Sequence, residues 1–314
     1  MRFFHKFGSI NFRFFGLVNG ILLKTTKKIK YTKALNYFEK YAYAVNDIKI
    51  KKSSDEHINK IWQLWLQGEE NMPQIVKICH SSVKKFYGDR VVLLDKNSLN
   101  KYIELPDYIE EKYKKGIISH ANYSDIIRLS LLAKYGGCWI DSTIYLTDVI
   151  PEEIFAADFF SFKSVESENL KFINTLEQFK VYSNHINKII DIESPYFLAS
   201  KPGNMLINAV LNLFLEYWKY EEKLVDYLMI DKMFAIAVIC NSECNRQFQN
   251  MPSYYLENVL LLQNALFERY DENLFNNIKQ LSSVHKLTHK TLHRNPYKNS
   301  FLNYLLESGS FIKG

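Results

Sequence analysis

The sequence predicts a layered α/β fold with a largely parallel sheet, and three observations predict it. Short β-prone runs alternate with amphipathic helical runs along much of the chain. The run Cys138-Trp139-Ile140 is apolar throughout, as a strand covered on both faces would be. Between Asn122 and Leu146 a helical pattern, a double-glycine stop and an Asp-bearing strand end follow one another closely, so the helix folds back beside the strand. At 314 residues the chain is long enough for one large α/β domain with a well-buried core.

The elements follow in order. Residues 1–56 read as a basic, aromatic extension and lead-in. Ile61 to Leu66 reads as a strand, Gln74 to Phe86 as a helix, and Arg90 to Leu94 as a second strand ending at Asp95. Asp107 to Lys115 is helical. From Asp125 a further helix carries Ile126, Ile127, Leu129, Leu131 and Leu132 on its apolar faces, with Ser124 or Asn122 available as its cap. Gly136 and Gly137 stop it, and Cys138 to Tyr145 reads as the next strand, with Asp141-Ser142-Thr143 where it emerges from the sheet. Phe159 to Lys163 and Tyr196 to Ala199 are further strand candidates. Met205 to Tyr220 and Leu224 to Cys240 read as helices; the second is strongly apolar but too short, and too interrupted by Asp226, Asp231 and Lys232, to cross a membrane. After Asn250 the periodicity weakens, and the tail beyond Lys290 reads as peripheral.

Asp125 and Arg128 are three apart and project from one side of their helix. By themselves they make an ordinary stabilising ion pair. Beside Asp141 at the carboxyl end of a strand, where open α/β sheets hold their ligands, they become a candidate site. Ser124-Asp125-x-x-Arg128, followed by Tyr135-Gly136-Gly137-x-Trp139-x-Asp141-x-Thr143, resembles the capsular polysaccharide synthesis glycosyltransferases. It is also similar to their wider kin, the glycosyltransferases with a DxD sugar-binding region and the large clostridial glucosylating toxins. Flanking blocks agree in order: Lys60-Ile61-Trp62-Gln63-Leu64-Trp65-x-x-Gly68, Met72-Pro73 to Ser81, Leu105-Pro106-Asp107 and His285-Lys286-Leu287-Thr288. The resemblance covers residues 57–290 and implies a GT-A-like single domain, a Rossmann-like central mixed sheet flanked by helices. Residues 291–314 are left as a C-terminal tail.

The resemblance implies a hexosyltransferase that takes a hexose or N-acetylhexosamine from a nucleotide-diphosphate sugar, with retention of configuration. It makes Asp125, Arg128 and Asp141 the catalytic set, with Asp125 and Arg128 against donor hydroxyls and diphosphate. Gly137 and Lys286 join them in substrate binding, together with Trp62 or Trp65, one of which would stack on the base while either is equally readable as core. A divalent cation, Mn²⁺ or Mg²⁺, would be held by Asp141, Thr143 and His285. Thr143 departs from the wider pattern, since a hydroxyl stands where a second carboxylate would sit, and one anionic ligand fewer weakens metal binding. Were the enzyme inverting, it would need a base for the acceptor, and Asp231 is a candidate that also reads as a solvated helix residue.

Charge is unevenly spread. Residues 1–40 hold nine Lys and Arg against the single acid Glu39, a net +8, so the remainder carries about −2 of the overall +6. Phenylalanines and aliphatics interleave with these cations, which suits a segment lying on an anionic membrane surface. Its longest weakly polar run, Phe14 to Leu23, is too short to span a bilayer, and no cleavage site of the usual kind follows. A basic arm also suits nucleic acid, but nothing else in the chain resembles a nucleic-acid fold. Cys79, Cys138, Cys240 and Cys244 lack paired zinc spacing and read as reduced thiols. The expectation is a cytoplasmic enzyme peripheral to the inner face of the membrane, building a capsular or other surface glycan on a glycan or lipid-linked acceptor. A non-catalytic nucleotide-sugar-binding or glycan-assembly protein is the alternative.

Overall fold

The computed structural model describes residues 31–46, 60–164, 178, 194–289 and 297–310, so the basic run within residues 1–30 lies outside the described residues. Helix α1 covers residues 31–38 and continues as the 3-10 turn Glu39–Val45. There follow β1 (Ile61–Leu64), α2 (Gln74–Tyr87), β2 (Val91–Leu94), α3 (Asp107–Lys114), α4 (His120–Tyr135), β3 (Gly137–Ile140), β4 (Ile144–Leu146), α5 (Glu152–Ala156), β5 (Phe159–Ser161) and β6 (Phe197–Ser200). Then come α6 (Met205–Tyr220), α7 (Met229–Cys240), α8 (Ser242–Gln249), α9 (Leu256–Val259), α10 (Leu261–Ala265), α11 (Glu272–Leu281), β7 (Val284–Lys286) and α12 (Phe301–Ser310).

The chain forms a mixed five-stranded sheet in the order β2-β1-β3-β6-β5, flanked by helices. β1 runs parallel to β2 and β3, and β6 is antiparallel to both β3 and β5. Four of the five strands therefore point one way, with β6 reversed. Side chains alternate between two cores, as a period of two requires. Trp62, Trp139, Phe159 and Leu198 pack with α4, α6 and α7 on one face. Ile61, Cys138, Ile140, Phe160, Phe197 and Ala199 pack on the other. Residues 31–45, expected to belong to the extension, join the first core: Tyr31, Leu35, Phe38, Tyr41 and Val45 are buried, and Phe38 packs edge-on against Tyr217 at 5.4 Å. The packed body thus begins well before residue 57. Among the described residues, no helix is long and apolar enough to cross a membrane.

Two sequence expectations need correction around the site. Helix α4 begins at His120 rather than near Asp125, because Ser119 caps it by accepting from the Asn122 N–H. Asn122 is buried inside the helix instead, donating to Asp125 at 3.3 Å. The expected strand from Cys138 to Tyr145 is two strands. Asp141 leaves the main sheet through a turn closed by Ile144 N–H to its own carbonyl, and β4 then pairs antiparallel with β7 in a separate ribbon. A third apolar cluster holds that ribbon: Ile75, Val76 and Cys79 of α2 meet Leu287 and the α12 residues Phe301, Leu302 and Leu305. The tail beyond Lys290 therefore contributes to the core.

The Gly136-Gly137 pair works as a junction. Both have positive φ, 64° and 88°, and a Cβ on Gly137 would lie 2.3 Å from the Lys60 carbonyl oxygen. β1 can approach β3 that closely only because Gly137 has no side chain. Trp62 completes the junction, donating its indole N–H to the Gly136 carbonyl at 2.9 Å.

Gly137→Ala is expected to lower stability well beyond Gly116→Ala. The second residue also has positive φ, 72°, but open space around it. The backbone conformation costs about 1–2 kcal/mol at both, and overlap with Lys60 adds about 1–3 kcal/mol at Gly137 alone. Urea midpoints of the two variants check the difference.

Candidate active site

A cavity of about 830 Å³ opens where β1 and β3 end. That volume lies within the range of sites for drug-sized ligands. Its walls come from five places: the residues after β1, the first turns of α4, the Asp141–Thr143 turn, Pro195 and Tyr196 ahead of β6, and residues 286–289. The start of α7 forms a rim with Tyr227 and Leu228, each 55% exposed.

Charges alternate across this cavity. Arg128 lies 3.3 Å from Asp125 and 3.5 Å from Asp141. Lys286 donates to Asp141 at 2.8 Å and to the Thr143 hydroxyl at 2.7 Å. The order is therefore carboxylate, guanidinium, carboxylate, ammonium. Arg128 is further held by the Pro195 carbonyl, the Ser124 hydroxyl at 3.3 Å, and the face of the Trp139 ring, 5.0 Å from the guanidinium carbon. Trp139 also donates its indole N–H to Asp141 at 2.8 Å. Ser142 ties the turn to the end of β1 through the Leu64 carbonyl, at 2.8 Å.

The two carboxylates titrate in opposite directions. Burial raises Asp125 to about 6, and repulsion from Asp141 adds to this against the pull of Arg128 and Asn122. Burial also pushes Asp141 up, but the combined attraction of Lys286 and Arg128, with hydrogen bonds from Lys286 and Trp139, outweighs it and brings Asp141 down to about 2. At neutral pH Asp141 is a fixed anion, and Asp125 stands close to its titration range.

Six of the expected site residues meet here: Trp65, Asp125, Arg128, Asp141, Thr143 and Lys286 all line the cavity. Trp65 sits edge-on to His289 at 5.8 Å, and its indole N–H is buried with no hydrogen-bond partner among the described residues. Three others lie outside the lining. Trp62 is fully buried and packs against Tyr102 and Tyr135. Gly137 serves the approach of β1 to β3. His285 is fully buried, with Nε2 2.9 Å from the Thr147 hydroxyl, and burial lowers it to about 4, so it is neutral. Asp231 is neither solvated nor in the lining; it is buried 3.9 Å from Lys232. Trp139, Pro195 and Tyr196 also line the cavity, beyond the residues the sequence points to. Trp139 lay inside an apolar run that reads as core, while Pro195 and Tyr196 carry no signal of their own.

The donor set does not fit a divalent cation. Asp141 is the one carboxylate on the turn, and both its oxygens are engaged by cationic or N–H partners. The Thr143 hydroxyl accepts from Lys286, and His285 is turned into the protein. Among the described residues, no three His, Cys, Asp or Glu side chains converge on a point that could hold a metal.

Titration of Asp125 gives a signed prediction. Its folded pKa exceeds the unfolded value of 3.8, so the folded state keeps its proton to higher pH. Stability therefore falls as pH rises from about 4 to about 6, by up to roughly 2–3 kcal/mol. Asp125→Asn should raise the unfolding free energy from urea titration at pH 7.5 by about 1–2 kcal/mol, and the gain should vanish near pH 4. Equal effects at both pH values would show that the carboxylate is not strained by burial.

Comparison with known proteins bears on this geometry. A family model described as capsular polysaccharide synthesis protein matches residues 21–305. No curated protein matches the chain. Among solved structures, the PaToxG glycosyltransferase is similar over 83% of this chain and 100% of its own, with 15% sequence identity and a TM-score of 0.39. The matched region runs from ahead of α1 into α12 and so takes in every wall of the cavity. The chain belongs to the capsular polysaccharide synthesis protein family.

Proposed function

We propose that the chain is a GT-A-like glycosyltransferase that moves a hexose or N-acetylhexosamine from a nucleotide-diphosphate sugar to a surface-glycan acceptor. The observation that carries the reading is the charge row in a cavity at strand carboxyl ends, within a family of capsular polysaccharide synthesis proteins. Breaking the bond between sugar and diphosphate leaves negative charge on the departing oxygen. Fixed cations aimed at that charge lower the barrier, because they need no reorganisation as it develops. Arg128 and Lys286 are the cations lining the cavity beside Asp141, and both are held in place by Asp141 itself.

Asp125 takes the sugar. A carboxyl close to its titration range both accepts and donates hydrogen bonds, as recognition of vicinal hydroxyls requires. Trp65, an aromatic at the cavity edge with an unused N–H, takes the base by stacking. Retention is favoured by the cavity carboxylates: Asp125 and Asp141 are each paired with a cation, and Asp231 lies away from the lining, so none of the three is a free base for the acceptor. The exposed Tyr227 and Leu228 give the acceptor side an apolar lip. A lipid-linked acceptor would suit that lip, and the +8 charge of residues 1–40 would draw the enzyme to the anionic membrane surface carrying it.

The test is a screen of UDP-, GDP- and CMP-sugars for binding, by thermal shift, and for donor hydrolysis. One donor class is expected to stand out. Asp141→Asn should cut its turnover on the order of a hundredfold, with the near-ultraviolet circular dichroism unchanged. Trp65→Ala should weaken nucleotide binding by about tenfold. Binding without turnover of any nucleotide sugar would favour the non-catalytic reading; no binding at all would end the donor-site reading.

A further inference from the structure

We propose that Lys286 is this enzyme's built-in cation, so that it binds the donor diphosphate without a divalent metal. The inference rests on the donor-site reading above and deepens it. The Lys286 ammonium bridges the first and third residues of the Asp141-Ser142-Thr143 turn, at 2.8 Å from the Asp141 carboxylate and 2.7 Å from the Thr143 hydroxyl. Those are two of the three side chains expected to coordinate a metal; the third, His285, is buried against Thr147. An ammonium has three N–H donors, and these bonds use two, which leaves one for a ligand in the cavity that Lys286 lines.

Backbone geometry holds the lysine there. Register pairs Lys286 with Ile144, directly after the turn, and the next residue, Leu287, donates its N–H to the Thr143 carbonyl at 2.9 Å. The ammonium also lies over the Tyr196 ring, 5.2 Å from its centroid. A divalent ion at the same oxygens would have to displace Lys286 or sit against its charge. It would gain one carboxylate in return, since position 143 is threonine and His285 is engaged with Thr147. Hard divalent ions of this kind take several oxygen ligands, and carboxylates supply most of the affinity. A single shared carboxylate favours the ammonium. The missing acid at Thr143 and the lysine at position 286 thus explain one another: a second carboxylate has no role once the cation is covalently part of the chain.

The experiment is isothermal titration of the full chain with UDP and GDP, in excess EDTA and again with millimolar Mn²⁺ or Mg²⁺. The expected result is that whichever nucleotide binds does so with the same Kd in both buffers, within about twofold. Lys286→Met, which keeps the apolar stem, should weaken that binding by about tenfold or more in EDTA. Thr143→Asp, which restores a second carboxylate, should make binding respond to Mn²⁺. Binding that requires Mn²⁺ or Mg²⁺ in the unaltered chain overturns the inference and leaves the donor site standing. Absence of nucleotide binding in every buffer overturns the donor-site reading and this inference with it. Should Lys286→Met fail to fold, the comparison of EDTA with metal on the unaltered chain decides alone.

Discussion

A guanidinium buried in a protein must be paired, because leaving one charge uncompensated costs several kcal/mol. Arg128 is such a group, nearly inaccessible on helix α4, and its partners come from different elements: Asp125 one turn earlier, Asp141 at the end of β3, and the Pro195 carbonyl ahead of β6. That requirement fixes the distance between the helix and the two central strands at the point where the cavity opens. Trp139 serves the same end, covering the guanidinium with its ring and steadying Asp141 with its N–H. The charge row is therefore a structural clamp that also lines the cavity proposed for the donor. The strain in that double use shows at Asp125, whose carboxyl is raised by burial while Asp141 is lowered by its cations.

Much of the sheet and its helices was legible in the sequence, because local pattern and tertiary packing agree there. Helix α6 runs from Met205 to Tyr220 as its periodicity indicates, and α2 differs from expectation by one residue. One segment departs from its local pattern. Cys138 to Tyr145 has β-prone residues on both sides of Asp141, and nothing local says that the chain changes sheets. The break is set by long-range partners: Asp141 N–H takes the Tyr196 carbonyl, Ser142 takes Leu64, and β4 finds β7. The start of α4 was lost in a similar way, since Ser119 lies ahead of the apolar periodicity that marks the helix.

The site was legible to the extent that its residues sit in one short motif. Asp125, Arg128 and Asp141 lie within seventeen positions of sequence and meet as expected. Pairs further along the chain needed a rule that was available and decisive. On a strand, neighbours point to opposite faces, so His285 and Lys286 cannot both reach the cavity. The structure gives it to Lys286 and buries His285. The two tryptophans divide differently: Trp62 lies within β1 and faces the core, whereas Trp65 follows the last residue of the strand and reaches the rim. Pro195 and Tyr196 had no signature, because a main-chain carbonyl and a lone tyrosine acquire meaning only from what folds against them.

The ribbon formed by β4 and β7 has a bearing on how the molecule comes into being. Lys286 joins Asp141 across 145 positions of sequence, so its contact is among the most expensive in loop-closure entropy and among the last a growing chain can make. During synthesis, Asp125, Arg128 and Asp141 are present long before the lysine has been translated. An intermediate with its sheet formed and its ribbon undocked would hold three of the four charges, with the Asp141 turn open on one side. On the donor-site reading, ligand capture would be reserved to chains in which Leu287 and α12 have packed against α2. Competence to bind and completion of folding would then be the same event.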